Sequence, residues 1–235
     1  MGTRIAQGPC GDCQLGAFCV GARLGLTGAN DEERWPQKLK FPAGTVIASA
    51  GEASDEVLVL REGWVCRFDM FPDGRRQIVD ILLPADFVAC EDALRDDRSL
   101  AVIALSDVEV CAFNSDAFQE AAFRNEENRR IVFDYCLDYS ARLRSLISTL
   151  GRQAARARIA KCVVSLHERL MRVNGADERG MPIHLRQRDI ADFVGLTPVH
   201  ANRVIRSFAD DGVFTISSDR IEFQDYDRLV QISRG

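Results

Sequence analysis

The chain has 235 residues, 46% hydrophobic and 28% charged, a globular composition with room for one or two cored domains and not that of a disordered segment. No stretch approaches about eighteen consecutive apolar residues, and the start, MGTRIAQGPCGDC, lacks the charged-then-apolar layout of a signal peptide, so a cytoplasmic location with no membrane partner is expected. Charge is uneven, with 16 basic against 24 acidic residues up to residue 150 and 14 against 11 beyond it, which points weakly to nucleic acid at the C-terminal end.

Eight cysteines in a chain expected to be cytosolic argue against a disulfide framework, because that compartment keeps thiols reduced. Cys10, Cys13 and Cys19 are clustered, as metal or redox thiols tend to be, whereas Cys66, Cys90, Cys111, Cys136 and Cys162 are scattered. For Cys66, Cys136 and Cys162 simple burial as small apolar groups is the expectation.

From Lys40 to Phe113 the β-prone runs TVIA, EVLVLR, WVCRFDMF, QIVDILL, LAVIAL and VEVCAF follow one another, with Gly and Pro turn signals roughly every ten residues. This pattern predicts a small β-barrel or roll. Asn114-Ser115 reads as a helix start, and a long helix free of Gly and Pro is predicted from about Glu126 to Leu150. Along it Val132, Cys136, Tyr139, Leu143, Leu146 and Leu150 alternate spacings of four and three, the seam of two paired helices, which predicts a homodimer. A second stripe through Phe133, Leu137 and Ile147 is available to pack on the roll.

Beyond Gly151 an amphipathic helix is expected from about Ala154 to Met171, then a polar loop and a compact helical pair in RDIADFVGLTPVHANRVIRSF. Ile190, Ala191 and Val194 mark a first helix ending at Gly195; Thr197 caps the second, with Pro198 at its first position. Ala201, Val204, Ile205 and Phe208 supply its buried side. The DNA-binding residues are therefore taken as Thr197, Val199, His200, Asn202, Arg203 and Arg206, a face able to reach base edges and phosphates. VFTIS and RIEF flank Ser218-Asp219 as a hairpin wing. The expected fold class is α+β, divided into a cysteine-rich segment (1–34), a β-roll sensor domain (35–124), a dimerisation helix (125–150) and a winged helix-turn-helix (151–235).

Sensor roll, long helix and winged helix-turn-helix, in that order, resemble the CRP/FNR family of bacterial regulators across nearly the whole chain, and GLTPVHANRVIRSF resembles that family's recognition segment. Cys-x2-Cys-x5-Cys near the N-terminus with one more cysteine at the end of the roll is similar to the oxygen-sensing FNR branch. That resemblance implies a [4Fe-4S] cluster on Cys10, Cys13, Cys19 and Cys111, degraded by oxygen toward [2Fe-2S], with the intact form dimeric and bound to palindromic promoter DNA; RNA polymerase is implied as a further partner. Four thiolates are what such a cluster needs, although zinc or a metal-free thiol switch are alternatives, as are Cys66 and Cys90 for the fourth position.

The chain departs from its relatives in two places. Arg98-Ser99 resemble the phosphate contacts of the cyclic-AMP-binding branch, but Ala89 and Cys90 stand where that branch has Gly and Glu. On the recognition helix Val199 and Asn202 stand where FNR relatives have Glu and Ser, while Arg203 is retained to read a guanine. Two other readings remain: a regulator that senses haem, nitric oxide or a small effector, and an iron–sulfur electron carrier or redox enzyme. The chain has no nucleotide-binding Gly-rich loop and no catalytic triad, and its histidines are His167, His184 and His200, so no enzyme is expected.

Overall fold

The computed structural model describes residues 2–7, 13–26, 36–51, 55–88, 100–173 and 175–235. Two compact units emerge, one formed by Met1–Asp69 and Asp80–Ala141, the other by Met70–Val79 and Arg142–Gly235. Cys10, Ala89, Cys90, Arg98 and Ser99 lie outside the described residues.

Eight strands among the described residues build a β-roll: β1 (Thr3–Gln7), β2 (Gln37–Phe41), β3 (Val46–Ala48), β4 (Glu56–Glu62), β5 (Val65–Met70), β6 (Arg76–Leu82), β7 (Ala101–Ala104) and β8 (Val108–Asn114). They form two four-stranded sheets, ordered β1-β2-β8-β4 and β3-β7-β5-β6. Leu58, Leu60, Val110 and Ala112 of one sheet pack against Val65 and Val102 of the other in a common core. Since side chains alternate across a strand, burying Val110 and Ala112 inside turns Glu109, Cys111 and Phe113 to the outer face. Strand β1 and the start of β2 precede the region the sequence marks as β-prone; Thr3 pairs with Lys40 across them.

A short helix α1 (Val20–Arg23) lies between β1 and β2, and α2 (Ser115–Phe123) follows β8, with Asn114 Oδ1 accepting from the Ala117 N–H at 3.0 Å as the sequence signal at that cap suggests. The long helix α3 (Glu126–Arg152) follows. Tyr135 and Tyr139 turn one of its faces to the roll. The Tyr135 hydroxyl accepts from the Phe87 N–H at 3.0 Å, and Arg67 stands over the Tyr139 ring at 5.0 Å.

These aromatic contacts show which side of α3 meets the roll. Phe133, Leu137 and Ile147, the stripe available to pack there, are 65%, 61% and 70% exposed, whereas Tyr139 of the expected seam is buried. Of the other seam residues, Val132, Leu143, Leu146 and Leu150 are half-buried and Cys136 is exposed, which also removes Cys136 from the thiols expected to be buried. Both stripes are apolar, so periodicity alone could not say which one the tyrosines would commit to the roll.

In the second unit, α4 (Ala155–Arg172), β9 (Gly180–Pro182), α5 (Gln187–Val194), α6 (Pro198–Asp210), β10 (Phe214–Ile216), β11 (Arg220–Phe223) and α7 (Tyr226–Ser233) build three helices around α4 and a small sheet ordered β10-β11-β9. His167, buried, is held by the Tyr226 hydroxyl at 3.1 Å and the Asp177 carbonyl at 2.9 Å, so it serves packing here. No helix among the described residues is long and apolar enough to cross a membrane.

Candidate functional site

The cysteine segment lies on the outer face of the β1-β2-β8-β4 sheet. Leu15, Cys19, Val20, Leu24 and Leu26 are all buried, so the segment between Leu15 and Leu26 is packed down. Its close approach depends on Gly21: a Cβ there would stand 2.5 Å from the Phe113 ring, so a larger residue would push α1 away from β8. One step along the strand from Phe113, Cys111 pairs with Val59 in the β4–β8 ladder. Cys13, Cys19 and Cys111 thereby line one pocket of about 280 Å³, including space open to solvent, together with Leu15, Val59 and Arg61.

Burial raises the pKa of the Cys19 thiol and the nearby Cys13 adds to this, while the backbone N–H groups of Ala22 and Gly21 oppose it. Among the described residues no three metal-ligating side chains stand close enough to hold an ion as they are. The donor set still fits a thiolate-held cluster in kind: three thiols face one mostly covered space, and the remaining candidate, Cys10, belongs to the segment just before it. Of the alternatives for a distant ligand, Cys66 is fully buried in β5 of the opposite sheet. Cys162, also buried, has its pKa pushed up to about 12 by burial despite Arg169, as befits an unreactive packing thiol.

Arg61 and Glu109 were not singled out by the sequence. They are bonded to each other, Glu109 is also 3.7 Å from Lys40, and their side chains are 25% and 7% exposed. The signal lay in EVLVLR and VEVCAF, where a charge interrupts an apolar strand. Burial works against the Arg61 charge, but the hydrogen bond and charge of Glu109, with Cys13 and Glu62, outweigh it and hold the pKa above its usual value.

The second candidate site is the α5–α6 pair. Helix α5 ends at Gly195, whose φ of 64° and ψ of 43° are the left-handed values that favour glycine. Thr197 Oγ1 accepts from the His200 N–H at 3.3 Å and Pro198 opens α6, as the sequence signals. Ala201, Ile205 and Phe208 are buried; Val204 is half-buried. Phe208 stacks on Phe214 of the wing at 4.6 Å, and Arg156 lies 4.2 Å over its other side while bonding Ser207 and Asp211 at 2.6 Å each. This clamp fixes α6 from behind and leaves its front open.

On that front, Thr197, Val199, Arg203 and Arg206 are exposed, Val199 at 82%. His200 is half-buried. Asn202 is half-buried and its Oδ1 is covered. An exposed arginine pair on a capped helix beside a hairpin wing is the arrangement that enters a DNA groove.

A β-roll sensor fold, a long helix and a winged helix-turn-helix together define a DNA-binding transcription regulator, not an enzyme. Residues 38–125 match the cyclic nucleotide-binding domain and residues 157–232 the Crp-like helix-turn-helix domain, and the chain belongs to the CRP/FNR family. It is 26% identical over 220 residues to the nitrogen fixation regulation protein FixK of Bradyrhizobium diazoefficiens, covering 94% of this chain and 92% of that one. It is 28% identical over 228 residues to the transcriptional activator protein FnrL of Cereibacter sphaeroides, covering 94% and 90%. The fold is that of FixK2 from Bradyrhizobium japonicum, with a TM-score of 0.76 at 23% identity over 84% of this chain and 96% of that one.

Proposed function

We propose that this regulator responds to oxygen or redox state through an iron–sulfur cluster, [4Fe-4S] in the DNA-binding form, held by Cys10, Cys13, Cys19 and Cys111. In this reading a homodimer binds palindromic promoter sites and engages RNA polymerase there. One observation carries it: Cys13, Cys19 and Cys111, separated by most of the roll in sequence, line the same pocket. The relatives named FnrL and, in Haemophilus influenzae, anaerobic regulatory protein agree with such a signal.

The cluster, when bound, supplies an iron centre that oxygen attacks. The chain supplies the rest. Through a bound cluster Cys13 and Cys19 would tie the N-terminal segment to Cys111 on the sheet, so loss of a ligand would loosen that segment on the outer face beside α3. A dimer equilibrium governed by α3 then shifts, because the two states of the segment differ in what they pack against.

Protein purified without air is expected to carry iron and sulfide and to show a broad visible absorbance that bleaches in air. Replacing Cys10, Cys13, Cys19 or Cys111 singly by Ser removes the iron, while Cys162→Ser keeps it. A sharp Soret band with no sulfide would support haem instead.

A further inference from the structure

We propose that Arg61 is a tuning residue of the cysteine pocket, the cation that sets how readily a cluster held there accepts an electron. The inference rests on the cluster reading above and adds a residue that no ligand pattern contains.

The strand geometry places it. Cys111 pairs with Val59; beyond Leu60 the ladder shifts register, Glu109 pairing with Glu62, so Arg61 sits in a bulge beside the cysteine row with its side chain bonded to Glu109. Arg61 lines the pocket with Cys13, Cys19 and Cys111. Glu109 stands behind it, bonded to the guanidinium and itself nearly covered, which fixes where the positive end points. Lys40 approaches the other carboxylate oxygen at 3.7 Å.

An iron–sulfur cluster on four thiolates is anionic, and adding an electron deepens that charge. A partly desolvated cation at its edge favours the reduced form; hydrogen bonds and charges around the sulfurs are among the protein's main controls on such potentials. Glu109 opposes this from a greater distance and at the same time holds the guanidinium in place. Removing either charge therefore moves the potential in opposite directions, which loss of packing alone would not do.

The test is a dithionite titration of the cluster in anaerobic, full-length protein, read by its visible and paramagnetic signals, with iron and sulfide counted in each sample. Arg61→Gln is expected to make reduction about tenfold less favourable, ~59 mV more negative for one electron. Glu109→Gln is expected to shift it the other way, and Arg61→Lys to stay near wild type. Should Arg61→Gln lose its iron, the Lys and Glu109 variants still decide by those two results. Potentials that stay fixed, or that move together, overturn the role of Arg61 while leaving the cluster in place. Wild-type protein without iron and sulfide overturns the cluster reading itself, and this inference with it.

Discussion

The side chain of Asn128, in the first turn of α3, donates from Nδ2 to the carbonyl of Leu24 at the end of α1, 3.3 Å away. The same nitrogen donates to Ala121 of α2 at 2.7 Å, and the residue is 7% exposed. One buried amide thus bonds carbonyls near the ends of two helices, the Ala121 carbonyl also accepting from the Arg124 N–H, and it joins the cysteine segment to α3. Asn128→Ala is expected to cost about 1–3 kcal/mol, because the Leu24 carbonyl loses this donor and the Ala121 carbonyl keeps only the longer bond from the Arg124 N–H. Asn128→Asp should cost more, since it offers the same carbonyls an acceptor. Urea unfolding of the anaerobic protein measures both; unchanged stability in both variants would show that the junction contributes nothing.

Gly21 is where the cysteine segment touches the sheet most closely, with Phe113 filling the space a side chain would need. Gly21→Val is expected to destabilise the first unit by about 1–3 kcal/mol through overpacking and to lower iron retention by moving Cys19 away from Cys111. The double variant Gly21→Val with Phe113→Leu should recover part of the iron. Iron content per chain after gel filtration checks this, and full retention in the single variant would contradict it.

The sequence shows why this pairing is invisible at first reading. Gly195, Thr197 and Pro198 act on their own few residues, so the helix-turn-helix is legible from local chemistry. The packing of Gly21 on Phe113 and the bond from Asn128 to Leu24 join distant parts of the chain, and nothing periodic announces them. Which face of α3 meets the roll is hidden for a related reason: two apolar stripes compete, and Phe87 and Arg67 on the roll hold Tyr135 and Tyr139 inward. The basic front of α6 is legible as a set, but the covering of Asn202 Oδ1 is a matter of packing that the helical period does not show.

The exposed stripe of α3 is accordingly where dimerisation should be most sensitive. Phe133→Asp and Ile147→Asp each place a charge on an apolar surface that is open in the single chain. Both are expected to yield monomers in anaerobic sedimentation, with DNA affinity falling in step. Dimers that persist in both variants would place the interface on Leu143, Leu146 and Leu150 without this stripe.

Arg203 and Arg206 are both exposed on α6. Arg203→Ala is expected to remove preference for one guanine in each half-site, a loss of about 1–3 kcal/mol of discrimination. Arg206→Ala should weaken binding to all sequences alike and lower the salt slope by about one unit. Competition binding against every single-base variant of a selected palindrome separates the two. An even loss across all variants for Arg203→Ala, with its guanine preference intact, would make it a backbone contact.

In the proposed mechanism DNA binding depends on a cluster held by the cysteine segment and the sheet. The most direct test measures DNA affinity, iron and sulfide on one anaerobic sample, before and after brief exposure to air. Affinity is expected to fall at least about tenfold as iron and sulfide are lost, within the usual range of coupling between two sites. Equal affinity before and after that loss, at the same salt concentration, would show that DNA binding does not depend on the cluster.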